Sequence, residues 1–281
     1  MSLTIAVWTP IFLGALSLLA TRRRALSLGL IAAGYLLAFA DGLLDWRAGI
    51  PLVLLLAAAY AVAPQRPRAW RVAGHVAFVG LAIGLGFHLL PNFDNPQVIG
   101  PARFTPDAVP FTMYLNLDKP LAGFWVLLAW PALRLHRGRW SWIRGLVIGL
   151  ATAVVCLGLA LVLGEMAIAP KWPDVGWLWA INNLLLVCLT EEALFRGYLQ
   201  EGLTRRFADR RGGETFAIAI AAALFGVVHA GGGLGYVLVA ALAGVGYGIA
   251  YRYGGLQASV MAHFGLNLVH FSLFTYPMLA R

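Results

Sequence analysis

The chain has 281 residues, 60 % hydrophobic and only 12 % charged, with a formal net charge of +9 and a mean hydropathy of +0.78. A soluble domain carries about 25 % charged residues, so the composition excludes an ordinary water-soluble fold and describes an all-α, multi-pass membrane protein. The basic residues lie in short clusters between apolar runs with no nucleic-acid-binding motif beside them, so no nucleic-acid partner is expected. Two cysteines, Cys156 and Cys188, both inside apolar runs, supply neither a disulfide framework nor a zinc–thiolate site.

The first apolar run extends from Leu3 to Ala20, and Arg22-Arg23-Arg24 follows it. A secretory signal has its positive charge before the apolar run, so this segment is expected to be a retained first helix. Further runs long enough, or nearly so, to cross a bilayer recur at about 25–40, 48–63, 72–90, 120–133, 145–164, 177–200, 215–230, 235–251 and 256–276. They predict a bundle of ten helices, or eight or nine if the shortest fail to cross; the run at 120–133 is the weakest. With the N-terminus outside, the inner connections hold Arg22 to Arg24, Arg66, Arg68, Arg71, Arg134, Arg137, Arg139, Arg144, Arg205, Arg206, Arg210, Arg211 and Arg252. The outer side holds Arg47, Arg103, Lys119, Lys171 and Arg281, which is 5 basic residues against 15. That asymmetry satisfies the positive-inside rule and places both termini on the outer side. Ten tryptophans suit the two aromatic belts of such a protein. One long outer loop, from Pro91 to Pro120, is expected to pack as an irregular cap. The chain divides into N-terminal helices over 1–140 and a core over 141–281 that holds the candidate chemistry.

In the seventh run, Glu191, Glu192 and Arg196 fall within six residues of one another. An ionisable side chain at bilayer depth costs about 2.5–3.5 kcal/mol on insertion scales, so three together mark a functional site. Glu192 and Arg196 share a helix face at the i,i+4 spacing and should pair. Glu191 points about 100° away and is left to act as a general base. The plainer account is a buried triad whose members only stabilise one another. The next run ends Phe225-Gly226-Val227-Val228-His229, and the last carries His263 and Asn267 on one face, with His270 a turn further on. A glutamate to hold a water, a histidine to share its proton and a histidine–asparagine pair to stabilise an oxyanion form a set for amide hydrolysis. Counted along the runs, Glu191 falls nearer the inner surface and His229 nearer the outer. Asn182 and Asn183 are expected to make interhelical hydrogen bonds, and the Gly244/Gly248 pair to serve close helix packing.

Glu191-Glu192-Ala193-Leu194-Phe195-Arg196, Phe225 to His229 and His263 to Asn267 resemble, in order, the EExxxR, FxxxH and HxxxN motifs of the CPBP (CAAX protease and bacteriocin-processing) intramembrane endopeptidases, also called the ABI family. The resemblance covers roughly 177–276. It implies an intramembrane endopeptidase that cleaves a membrane-associated protein or peptide near its C-terminus. Glu191 would be the catalytic glutamate, His229 its partner in activating water, His263 and Asn267 the oxyanion donors, and Glu192 and Arg196 supports of the site. The family is often described as metalloproteases. Zinc would need about three ligands and an open position, for which Glu191, His229 and His263 are the candidates. In the absence of a tight motif such as HExxH, a metal-independent reaction is the expectation. The alternatives from other classes are a transporter or channel that uses the acids and histidines for proton or ion coupling, and an inactive relative acting as a membrane scaffold.

Overall fold

A computed structural model describes residues 2–21, 23–130, 132–133 and 141–280. Arg22, Arg134, Arg137, Arg139 and Arg281, used above, lie outside the described residues. Ten helices occur among the described residues, at the positions of the ten apolar runs: α1 (Ser2–Ala20), α2 (Arg24–Ala40), α3 (Gly49–Ala61), α4 (Arg68–Gly86), α5 (Lys119–Ala129), α6 (Ser141–Val162), α7 (Gly176–Arg206), α8 (Gly213–Val227), α9 (Leu234–Gly254) and α10 (Leu256–Leu273). Four of them, α4, α6, α7 and α9, are long and apolar enough to cross a membrane. The 11 residues of α5 reach about 16 Å at 1.5 Å per residue, against a hydrocarbon core about 30 Å thick. The run at 120–133 therefore makes only a half-length helix.

The loop between α4 and α5 is more regular than expected. Within it β1 (Gln97–Ala102) and β2 (Phe111–Tyr114) pair as a two-stranded sheet. Ile99 and Met113 turn inward from the two strands, into an aromatic cluster with Trp179 and Phe271. Pro101 lies in β1, a strand with no second neighbour, where a missing N–H costs little.

The fold comprises two compact units: Met1–Pro96, Tyr114–Pro131 and Leu185–Thr190 in the first, and Gln97–Met113, Ala132–Leu184 and Glu191–Arg281 in the second. In the first, α1 and α2 form a hairpin closed by buried Ser27, whose hydroxyl lies 2.9 Å from that of Ser17. Trp125 of α5 donates its indole N–H to Leu55 O of α3 at 2.8 Å and stacks on Phe78 of α4 at 3.7 Å. Asp118 caps α5, accepting from Lys119 N, and holds the His88 ring at 2.7 Å.

The second unit is a helix cluster in which small residues set the spacing. A Cβ on Gly145 of α6 would stand 2.6 Å from Ala258 Cβ of α10, and one on Gly149 2.8 Å from Ala262 Cα. On α9, a Cβ on Gly246 would meet Thr152 Oγ1 of α6 at 2.1 Å, and one on Gly244 would meet Ala222 Cα of α8 at 3.0 Å. Contacts this close are the means by which helices attract in lipid, where no hydrophobic force drives them together. The segment after α10 is stitched to the loops beside it: Thr275 N donates to Ala167 O, Leu279 N to Glu165 O, and Val109 N to Met278 O.

Gly149→Ala should therefore force α6 and α10 apart, at a cost of about 1–3 kcal/mol, whereas Gly158→Ala on the same helix meets nothing within 4 Å and should leave the melting temperature unchanged or raised. Thermal unfolding of the two purified variants checks this; equal melting temperatures would refute the packing argument.

Candidate active site

Every candidate side chain lies in the second unit. α7 carries the acids. It is continuous over 31 residues but changes register: Asn183–Cys188 and Ala193–Gln200 are π-helical, and the short α turn between them, Leu189–Glu192, bears Glu191 and Glu192. Such π turns are rare in helices and frequent at functional sites.

Glu192 and Arg196 are both fully buried, with Arg196 Nε 3.3 Å from Glu192 Oε2. The guanidinium also donates through Nη2 to Gly244 O of α9 at 3.3 Å and lies 4.8 Å from the centre of the Phe225 ring. The second carboxylate oxygen of Glu192 receives Nδ1 of His263 at 2.9 Å. One buried carboxylate thus joins α7 to α10, and its arginine joins α7 to α9. The His263 ring is clamped from its face by Tyr247 of α9, stacked at 4.6 Å and 17°. Glu191 is 9 % exposed where Glu192 is 0 %, and it lies within electrostatic reach of Tyr236 and Arg196.

His229 stands just beyond the last turn of α8. Its Nδ1 is 2.7 Å from Phe225 O, one turn back. A carbonyl oxygen only accepts, so Nδ1 carries the hydrogen and Nε2 of the neutral ring presents a lone pair. The Phe225 ring separates the two imidazoles, with centroids 4.6 Å from His229 and 5.6 Å from His263. On α10, Asn267 donates its Nδ2 to Asn183 Oδ1 of α7 at 3.2 Å.

The helix ends differ from those counted on the sequence: α7 continues to Arg206 and α8 begins at Gly213. Glu191 lies 15 residues before the end of α7, and His229 lies 16 residues after the start of α8. The pair expected to serve close packing does so: Gly244 faces Ala222, and Gly248 faces Ile218 and Gln200. His270 closes its own helix end, its Nε2 3.2 Å from Thr275 O.

Among the described residues, no three or more His, Cys, Asp and Glu side chains stand together so as to hold a metal ion. Glu191, His229 and His263, the set considered for zinc, are not gathered in such a group.

Sequence reasoning missed Tyr236 and Tyr247, which flank the polar groups, and Phe225 as the spacer between the two imidazoles. A signal existed for Tyr247: a large ring set among Gly244, Gly246 and Gly248 has room on both sides to pack flat against a neighbour.

Replacing Arg196 alone by Met should destabilise the protein by about 3–5 kcal/mol, because it strands a buried charge. The double variant Glu192→Gln/Arg196→Met should recover part of that loss. Thermal melts in detergent check both, and a single variant that melts like wild type would show that the pair carries no such load.

Residues 172–269 match the family described as type II CAAX prenyl endopeptidase Rce1-like, and all the candidate residues fall inside that interval. No curated protein and no solved structure matches the chain. Together with its apolar helices, the match describes a multi-pass membrane protein. Over this segment, about a third of its length, the chain is similar to the Rce1-like family of type II CAAX prenyl endopeptidases.

Proposed function

We propose that the protein is an intramembrane endopeptidase that hydrolyses a peptide bond near the C-terminus of a membrane-associated protein or peptide, within a lipid bilayer and with both of its own termini on the outer side. The single observation that carries this reading is the buried Glu192 carboxylate, which holds His263 at 2.9 Å and leaves its neighbour Glu191 at the edge of the exposed surface.

In this reading a water between Glu191 and His229 meets two proton acceptors, the Glu191 carboxylate and the lone pair on His229 Nε2. As the water oxygen attacks the scissile carbonyl carbon, one water proton passes to Glu191, with His229 sharing it. The carbonyl oxygen takes up the displaced electron pair. The side-chain amide of Asn267 and Nε2–H of His263 would donate to it. His263 can do so only as the imidazolium, since its other N–H is directed to Glu192. The intermediate collapses as the carbon–nitrogen bond breaks, and the proton held on Glu191 passes to the leaving amine. No metal enters this sequence. The matching family is described as a CAAX prenyl endopeptidase, so prenylated CAAX proteins are the first substrate class to test.

The reading predicts that Glu191→Gln and His229→Ala each abolish processing while the protein remains inserted and folded. The measurement is mass spectrometry of membrane-protein C-termini from cells expressing wild type or each variant. An unchanged set of C-termini with Glu191→Gln would refute the general-base role and leave a transporter or an inactive scaffold as the better account. Metal-independent hydrolysis further predicts that a chelator leaves the rate unchanged; activity lost with the chelator and restored by zinc would overturn that part.

A further inference from the structure

α2 and α3 follow one another through a short connection, yet each has its main partner elsewhere: α2 packs on α1, and α3 on α4. Between them an apolar groove of about 640 Å³ stays open, with α5 as its floor. Ile31, Leu55 and Phe124, from the three helices, form a buried back wall, while Leu36 and Leu56 stand exposed at the two sides of the mouth. The groove lies in the first unit, which holds none of the candidate catalytic residues.

Two properties decide what can lie there. The polar atoms of the wall are already used: the Tyr35 hydroxyl donates to Leu117 O, and the Trp125 indole N–H to Leu55 O. A polar ligand would give up its hydration for nothing, so the occupant is a hydrocarbon. The second property is length. Along α2 the lining runs from Leu28 to Phe39, or about 17 Å at 1.5 Å per residue. That is close to half of a hydrocarbon core about 30 Å thick, the depth of a single leaflet.

The groove also has a polar end. Beyond α2 its lining continues through Asp45 and Trp46, and the Arg47 guanidinium lies 5.5 Å from the centre of the Trp46 ring. All three residues are exposed. Indole rings collect at headgroup level in a bilayer. The guanidinium beside this one suits phosphate oxygens, and the carboxylate next to it suits an ammonium.

We propose that the groove binds one phospholipid with a zwitterionic headgroup, of the phosphatidylethanolamine kind. One acyl chain lies along α2 from Phe39 towards Leu28, with the phosphate at Arg47 and the ammonium at Asp45. The lipid completes the packing between α2 and α3. The proposal stands apart from the endopeptidase reading, since it uses none of the same residues.

The test uses phosphatidylethanolamine with a photoreactive diazirine in one acyl chain, added to the full-length protein in lipid nanodiscs. Labels mapped by mass spectrometry should concentrate on the groove-lining residues of α2 and α3. Native mass spectrometry of the detergent-purified protein should show one retained phospholipid. Ala32→Trp and Ala59→Trp place an indole in the groove from either side and should reduce labelling and retention to background. Ala33→Trp, exposed and outside the lining, should change neither, and Arg47→Gln should weaken retention. A ligand stabilises the state that binds it, so added phosphatidylethanolamine should raise the melting temperature of wild type and not that of Ala32→Trp. Photolabelling of wild type decides the matter even where the filled variants fail to fold. Labels spread evenly over the exposed faces of α1 to α4, undiminished retention in a folded Ala32→Trp, or retention of an isoprenoid or anionic lipid in its place would each overturn the proposal.

Discussion

Glu192 carries a carboxylate with no exposed surface, in a chain built for a medium that cannot solvate charge. Two partners offset the cost of its burial: His263 of α10 is bonded to one oxygen, and Arg196, one turn along the same helix, stands at ion-pair distance from the other. Either partner alone would leave an oxygen facing apolar surroundings, at the several-kcal/mol penalty of an uncompensated buried ion. The arginine is buried in turn, and its charge is spread over the Gly244 carbonyl and the face of Phe225. Helices α7, α8, α9 and α10 are therefore fixed by one electrostatic knot. Of the candidate residues, Glu192, Arg196 and His263 form it.

Such a knot can be tied only if the backbones come close enough for short side chains to meet. That closeness is supplied by Gly145 and Gly149 against Ala258 and Ala262. The last of these immediately precedes His263. Gly244 and Gly248 do the same between α9 and α8. Packing and chemistry are thus parts of one arrangement, in which a methyl group added at a helix contact would displace an imidazole.

The two adjacent glutamates show how position, at equal chemistry, separates roles. Glu192 is enclosed and paired on both sides, so it is a strut. Glu191, turned away around the helix, retains some exposure and stands near Tyr236, where a water and a peptide could come. A similar division separates the histidines. His263 is held through Nδ1 by a carboxylate on another helix, and His229 by a carbonyl of its own, which leaves Nε2 of each ring directed elsewhere.

Much of this was legible in the chain. Ten apolar runs became ten helices because a backbone in lipid must satisfy its own hydrogen bonds within the segment, so hydropathy alone marks them. The pairing of Glu192 with Arg196 followed from i,i+4 spacing, and the cluster of ionisable groups from their cost at bilayer depth. Other features depend on relations that no single segment contains. α7 runs on past its apolar stretch to Arg206, and α8 begins only at Gly213. The strands in the loop between α4 and α5 bring Ile99 and Met113 to an aromatic cluster formed by distant helices. The π turns of α7 depart from the uniform 3.6 residues per turn that a sequence pattern assumes. The sequence by itself determined which groups are too costly to bury alone, since that cost belongs to each side chain. The tertiary structure decided which partner answers each of them, because only the approach of helices from distant parts of the chain puts a carboxylate, an imidazole and an amide within 3.2 Å of their partners.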